Sequence, residues 1–114
     1  SSKAGLALAV LPDAFAAGEI VKIAAGLKPA AEGSELQAVI NDLYKPTDRL
    51  FGGTAGAVRH ELITGELLSK SGHSTKAAEQ ISRLNRLLSE GSISSNDRQI
   101  ARALIADLQS ALGR

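Results

Sequence analysis

Residues 48–76, which read DRLFGGTAGAVRHELITGELLSKSGHSTK, decide the fold of this chain. They contain both histidines, a cluster of five glycines and the residues that we consider most able to do chemistry. The segments on either side have the spacing of amphipathic helices. This stretch therefore determines the fold class, and it is also where we look for a functional site.

The segment from Ala57 to Ser71 has two interpretations. As a β-hairpin, it has Thr64-Gly65 as a two-residue turn, with glycine where a positive φ is needed. This register pairs Ile63 with Glu66, Glu61 with Leu68, and Arg59 with Lys70. One face, the natural core side, then carries Val58, His60, Leu62 and Leu67. As a helix, the segment would end at Gly65. We adopt the hairpin.

The chain before this stretch predicts helices. The apolar run Leu6–Val10 is helix-prone, and Asp13 is a suitable N-cap for a second helix. Ser34 opens a stronger helix, because Gln37 three residues later completes a capping box. Pro46 ends that helix.

The chain after this stretch predicts two more helices. The first begins at Ser74 or Thr75 and closes at Gly91, and the second is capped by Ser94 with Asp97. A short loop joins them, so we expect them to pack against each other as a helical hairpin.

These elements predict one domain of the α+β class, mostly helical, with four or five helices and one β-hairpin around residues 57–71. Residues 34–114 form its compact part. Residues 1–33 form a helical N-terminal segment, for which a linker to an upstream region is the alternative. Because the chain begins without methionine, we expect it to be part of a longer protein.

Composition narrows the classes of function. Thirteen basic and twelve acidic residues give a net charge of +1, so nucleic-acid binding would need a local basic patch. One tyrosine and two phenylalanines argue against a reader that stacks successive bases on aromatic rings. The apolar N-terminal part is interrupted by polar residues and lacks a signal-peptide pattern, so we expect no stable membrane insertion.

The predicted hairpin forms a small basic pocket. Arg59 and Lys70 lie opposite each other at its open end, and the chain then turns to bring His73 and Lys76 close by. The start of the following helix, at Ser74-Thr75, adds free backbone N–H groups that favour an anion. These features predict a phosphate site.

Such a pocket suits a ribonuclease that works without a metal. One group takes the proton of a ribose 2′-hydroxyl, a second protonates the leaving 5′-oxygen, and cations stabilise the phosphate in the transition state. His73 is the first candidate for acid or base, with Glu61 or His60 opposite it, and Arg59 belongs to the same catalytic group. The predicted phosphate ligands are Lys70, Lys76, Thr75 and Arg49. Two histidines without cysteine, and no HExxH motif, favour a site with no metal and no other cofactor.

Plainer interpretations exist for the same residues. On the core face of the hairpin, His60 would be a packed, hydrogen-bonded histidine. His73 would be a polar loop residue before a helix. Arg59, Glu61 and Lys70 would form ordinary ion pairs on one face, each worth roughly 0.2–1 kcal/mol.

The sequence resembles a known group of domains over about residues 46–112. The run 48–61, Thr64-Gly65-Glu66, His73 with Lys76, and the segment Ser94–Leu112 are similar to the C-terminal toxin domains of bacterial polymorphic and contact-dependent growth-inhibition proteins. The resemblance implies a nuclease, often acting on transfer RNA, that a cognate immunity protein neutralises in the producing cell. By position, the resemblance implies that the motif residues are Arg59, Glu61, His73 and Lys76.

The sequence therefore predicts an antibacterial domain that cleaves RNA, with transfer RNA as the expected substrate. It would be secreted or delivered from the cell surface as part of a larger protein and would act in the cytoplasm of the target bacterium. Its expected partners are the immunity protein, the RNA and a host activator protein. The alternatives are a non-enzymatic interaction module that docks through the two C-terminal helices, and a toxin enzyme acting on a nucleotide or another phosphate.

Overall fold

The computed structural model describes residues 13–45, 52–70 and 72–114, and this part of the chain forms five α-helices. The helices are α1 (Ala14–Ala24), α2 (Ser34–Leu43), α3 (Gly53–Thr64), α4 (Ser74–Glu90) and α5 (Ser95–Ala111). The predicted helical run Leu6–Val10 and the predicted phosphate ligand Arg49 lie outside the described residues. No described helix combines the length and the apolarity needed to cross a membrane.

Most helix ends follow local signals in the sequence. The hydroxyl of Ser94 accepts a hydrogen bond from the N–H of Asp97 at 3.1 Å, which confirms the predicted cap of α5. Gly91 ends α4 in the left-handed conformation, with φ of 69°. Helices begin near Asp13, Ser34 and Ser74 as predicted, but no side chain caps these three ends. The predicted capping box at Ser34 is wrong, because Gly33 is the N-cap of α2 and Gln37 accepts the N–H of Ala31 instead. The N-cap of α4 is His73 and not Ser74 or Thr75.

The predicted β-hairpin over residues 57–71 is wrong. The helix α3 continues to Thr64, and the described residues contain no strand, so their fold is all-helical and not α+β. Gly65, with φ of 73°, is the C-cap of α3, and its N–H donates to the carbonyl of Glu61 at 2.8 Å. A glycine with positive φ fits both a hairpin turn and a helix end, which is why the sequence signal was ambiguous.

The pattern of burial explains why the helix forms. Ala55, Val58 and Glu61 recur every three residues and are all buried, as on one face of a helix. Leu62 and Leu67, which the hairpin would have placed on the core side, are both exposed. The helix thus covers a polar residue, Glu61, and leaves aliphatic side chains at its end in contact with solvent.

Helix α5 lies at the centre of the packing. It contacts α1, α3 and α4, and α2 packs mainly against α4. The predicted packing between the two C-terminal helices, α4 and α5, is therefore confirmed. The largest fully buried apolar side chains are Leu36, Val39, Ile40, Leu43, Val58, Leu84, Ile100, Leu104 and Leu108.

Polar contacts attach α1 and the loop after it to the rest of the domain. The buried carboxylate of Glu19 accepts a hydrogen bond from the N–H of Ala30 at 2.6 Å. The carboxylate of Asp97, which is fully buried, accepts the N–H groups of Glu32 and Gly33, both at 2.8 Å. Two apolar residues of α1 belong to the common core, Ala16 and Ile23.

Candidate active site

A buried carboxylate in the last turns of α3 binds the start of α4. The side chain of Glu61 is only 4% exposed. Its Oε1 accepts the backbone N–H of His73 at 2.7 Å, and its Oε2 accepts the backbone N–H of Leu68 at 2.8 Å. Its Oε2 also lies 3.0 Å from Nδ1 of the His73 imidazole. Glu61 therefore holds both the loop after α3 and the residue that caps α4.

Gly72, in the loop before α4, has a backbone conformation that favours glycine. Gly72 adopts φ of 75°, in the left-handed region. A Cβ atom at Gly72 would lie 3.0 Å from Cδ2 of Leu67 and 3.5 Å from Oε1 of Glu61. The distance to Oε1 is an ordinary contact and the end of the Leu67 side chain can move, so the positive φ is what favours glycine at this position.

The hydrogen bonds also keep Glu61 ionised. Burial by itself would raise the pKa of the Glu61 carboxyl. Four interactions outweigh burial, so the pKa of Glu61 is lowered. They are the hydrogen bond from the His73 side chain, the hydrogen bonds from the N–H groups of Leu68 and His73, and the charge of a protonated His73. The site therefore carries a carboxylate anion at neutral pH.

This anion determines which nitrogen of His73 carries the proton. An ionised carboxylate only accepts hydrogen bonds, so Nδ1 of His73 must be the donor toward Glu61. In the neutral imidazole the lone pair is then on Nε2. The His73 side chain is 16% exposed, which leaves part of the ring accessible. Nε2 is therefore the nitrogen at which the neutral ring could accept a proton.

His73 lies at the N-terminus of a 17-residue helix. It is the N-cap of α4, but its side chain makes no cap hydrogen bond, since Nδ1 is directed at Glu61. The first turn of α4 contains no acidic residue. It contains instead exposed Ser74 and Thr75 and partly buried Lys76. Free N–H groups, the helix dipole and a lysine all favour an anion at this place.

Arg59 contacts a different part of the molecule. Its Nη2 donates to Oδ1 of Asp107 at 2.8 Å and to the carbonyl oxygen of the same residue at 3.0 Å. Residues two positions apart on an α-helix are separated by about 200° around its axis. Arg59 and Glu61 therefore leave α3 on nearly opposite sides. Arg59 thus joins α3 to α5, and it does not face Lys70 across a hairpin.

The other predicted residues have separate surroundings. His60 is partly buried, on α3 and not on the core face of a sheet, and its carbonyl accepts the hydroxyl of Thr64 at 2.8 Å. Lys70 is exposed in the loop between α3 and α4. The structure therefore brings together Glu61 and His73 from the predicted set, with Thr75 and Lys76 in the adjoining helical turn.

The paired glycines before α3 serve helix packing. The N–H of Gly52 donates to the carbonyl of Gly26 at 3.0 Å. A Cβ atom at Gly53 would collide with the carbonyl oxygen of Leu43 and lie 2.9 Å from Cδ1 of Tyr44. These glycines let the start of α3 pack closely on the end of α2.

Sequence reasoning missed the residues that act through their backbone. The N–H of Leu68 and the left-handed backbone of Gly72 complete the environment of Glu61, and neither has a motif of its own. Glu61 and His73 are twelve positions apart, and this spacing belongs to no local sequence pattern. Gly72, directly before His73, was a usable signal that a turn precedes the helix there. The described residues contain no group of three or more metal-binding side chains.

Comparisons with known proteins give no relative for this chain. No protein-family model, no curated protein and no solved structure matches it.

Proposed function

We propose that this chain is an RNA-cleaving domain without a metal cofactor, in which His73 is the general base and Glu61 is its positioning residue. The observation that carries the proposal is the contact between Oε2 of Glu61 and Nδ1 of His73 at 3.0 Å, at the start of α4. A carboxylate that orients an imidazole in this way is a recurring arrangement for proton transfer.

The proposed reaction uses the ribose 2′-hydroxyl as nucleophile. Nε2 of His73 takes the hydroxyl proton, and the 2′-oxygen attacks the adjacent phosphorus. The bond from phosphorus to the 5′-oxygen breaks, and that oxygen takes a proton from water. The hydroxide that remains takes the proton from His73, which returns to its starting state. The products are a 2′,3′-cyclic phosphate and a 5′-hydroxyl end.

The first turn of α4 supports binding of the phosphate. Its N–H groups follow His73 directly, Thr75 and Lys76 belong to the same turn, and no acidic residue lies in it. Groups that are fixed before the reaction stabilise the additional negative charge of the transition state without reorganisation. Glu61 is not a second base in this scheme, because both of its oxygens already accept hydrogen bonds.

As in the toxin domains that the sequence resembles, the proposed setting is a bacterial target cell, with transfer RNA as substrate and an immunity protein as inhibitor. The test is induced expression in a bacterium, followed by gel analysis of total RNA. Wild type should stop growth and produce RNA fragments, and His73→Ala should do neither. Asn85→Ala, an exposed residue on the same helix, is the matched control and should behave like wild type.

Two further measurements complete this test. Circular dichroism of purified His73→Ala should show intact helices, so that lost cleavage is not lost folding. Chelator added to the purified wild type should leave cleavage unchanged. Intact RNA in cells that wild type kills would contradict the RNA substrate and favour a different phosphate substrate.

A non-enzymatic interaction module is the second candidate, and one observation favours it. Four large aliphatic residues are exposed where α3 ends, namely Leu62, Ile63, Leu67 and Leu68. Such a surface suits binding to another protein. Harmless expression of wild type with no RNA fragments would favour this candidate.

A further inference from the structure

Residues 66–70, which follow the C-cap of α3, lie outside the apolar core. All five are exposed, and none belongs to the buried apolar cluster of the described residues or packs against it. A segment with so few buried contacts has a low local stability, because little is lost when it leaves its place. We name this segment the 66–70 flap.

The two ends of the 66–70 flap are held by contacts with its neighbours in the chain. At one end, the N–H of Glu66 donates to the hydroxyl of Thr64 at 3.2 Å. At the other end, the hydroxyl of Ser69 donates to the carbonyl of Gly72, and the N–H of Gly72 donates to the carbonyl of Ser69, both at 3.2 Å. These bonds shape the ends of the flap, but they do not attach it to the buried core.

Glycines lie on both sides of the 66–70 flap. Gly65 directly precedes it and Gly72 lies two positions after Lys70, with φ of 73° and 75°. Glycine adopts a positive φ without strain, and it adopts a negative φ about as readily. The backbone can therefore change direction at both glycines, as it does at the hinges of moving loops.

One contact joins the middle of the 66–70 flap to α3. The N–H of Leu68 donates to Oε2 of Glu61 at 2.8 Å, and the Glu61 side chain is only 4% exposed. A hydrogen bond to an ionised acceptor is roughly twice as strong as one between neutral groups. The backbone at Leu68 thus covers part of a buried carboxylate and is held there by that same carboxylate.

We propose that the 66–70 flap opens and closes over Glu61 while the described helices stay folded, and that the hydrogen bond between Leu68 and Glu61 is its latch. This inference does not depend on the proposed RNA cleavage.

Closure of the flap acts on His73 through Glu61. The Oε2 atom that accepts the N–H of Leu68 also lies 3.0 Å from Nδ1 of His73. A hydrogen bond is stronger where water is excluded, and water competes for this oxygen when the flap is open. The flap therefore regulates how firmly Glu61 orients the imidazole.

Native-state hydrogen exchange of the purified wild type, followed by NMR at single amides, tests the opening. After correction for intrinsic rates, the Leu68 amide should be protected, yet it should exchange at least about 100-fold faster than the amide of Leu104 in the core. Low concentrations of urea should speed exchange at Leu104 but not at Leu68, because opening of the flap exposes little surface. Equal dependence on urea at both amides would overturn the independent opening, and an unprotected Leu68 amide would overturn the latch.

Two matched substitutions test which group is the latch. Glu61→Gln should speed exchange of the Leu68 amide by about 10- to 100-fold, because the charged acceptor is lost. Glu19→Gln removes another buried carboxylate, which accepts the N–H of Ala30. It should speed exchange at Ala30 and leave Leu68 unchanged. The same rate at Leu68 in both variants would contradict the assignment of Glu61.

A proline at position 68 tests the effect of the flap on His73. Leu68→Pro removes the N–H that forms the latch, whereas Leu68→Ala keeps it. Nitrogen-15 shifts of the neutral ring should show Nδ1 protonated in wild type and in Leu68→Ala. In Leu68→Pro, the share of rings protonated at Nε2 should rise at least about twofold. An unchanged ring would overturn the regulation of His73, and loss of helix in circular dichroism of Leu68→Pro would overturn a flap that moves apart from the core.

Discussion

Glu61 is the residue on which the candidate site depends. Its carboxylate accepts the N–H of Leu68, the N–H of His73 and the imidazole of His73, so one buried anion positions a loop, a helix start and a ring. The sequence predicted Glu61 or His60 as a reacting group opposite His73. The contacts of Glu61 support a positioning role, because its buried carboxylate already accepts three hydrogen bonds that hold the loop, the start of α4 and the imidazole.

Replacement of Glu61 should show that its negative charge stabilises the domain. We expect Glu61→Gln to lower the free energy of unfolding by about 2 kcal/mol at pH 7, since hydrogen bonds to a charged acceptor are lost. Because the pKa of Glu61 is lowered in the folded state, its contribution is complete above the ordinary pKa of about 4.3 and is lost as the pH falls below that value. Urea unfolding of both proteins at pH 7 and at pH 3 should show the deficit shrinking in acid. An equal deficit at both pH values would contradict an ionised Glu61.

Tyr44 provides a second test at the residue scale. Burial and the nearby carboxylate of Asp107 raise the pKa of Tyr44 to about 12, and the positive charge of Arg59 only partly opposes them. The chain has one tyrosine and no tryptophan, so ultraviolet absorbance reads this group alone. We expect native protein to form little tyrosinate at pH 11, while urea-unfolded protein titrates near its ordinary value of 10.0.

The titration of Tyr44 also has a consequence for stability. A folded-state pKa above the unfolded value means that the contribution is complete below pH 10 and is lost as the pH rises toward 12. Asp107→Asn should bring the native midpoint closer to 10.0. A native midpoint already at 10.0 would contradict the partial burial of Tyr44 against the core.

At the scale of elements, the sequence predicted the helices whose ends have side-chain or glycine signals. Ser94 with Asp97 and Gly91 mark ends of α5 and α4 by contacts within a few residues, and such contacts are legible in a sequence. The region from 57 to 71 was predicted wrongly because the same glycine suits a hairpin and a helix end. The deciding contacts there are tertiary, from the buried face of α3 to α4 and α5.

The glycine at the start of α3 gives a prediction for this element. Gly53→Ala should lower the free energy of unfolding by about 2–4 kcal/mol, because φ of 58° is unfavourable for alanine and the Cβ would collide with the carbonyl of Leu43. Gly18→Ala is the matched control within α1, where a Cβ meets no atom within 4 Å. It should stabilise the domain by about 0.5–1 kcal/mol. Equal effects of the two substitutions in thermal unfolding would contradict the close packing of α3 on α2.

At the scale of the whole molecule, the site is made by folding rather than by a local motif. Glu61 and His73 lie twelve residues apart on two helices, and Arg59 reaches Asp107 across 48 residues. Composition and spacing could identify Glu61 and His73 as candidate residues, but they could not predict the contact between them. They also could not show that Arg59 belongs to a structural ion pair between α3 and α5.

The charge balance of the chain limits how it could bind RNA, the proposed substrate. A net charge of +1 provides no long-range attraction to a polyanion, so binding would come from the start of α4 and from Lys70 and Lys76. We therefore expect weak, salt-sensitive binding of RNA by the isolated chain.

The most direct test of the proposed chemistry is the identity of the cleaved RNA ends. A short RNA incubated with purified wild type should yield 2′,3′-cyclic phosphate and 5′-hydroxyl ends by mass spectrometry, and the same RNA with 2′-deoxyribose at the cleaved position should remain intact there. His73→Ala should yield no product with either substrate. Cleavage of the deoxy substrate at that position, or full activity of His73→Ala, would contradict proton transfer from the 2′-hydroxyl to His73.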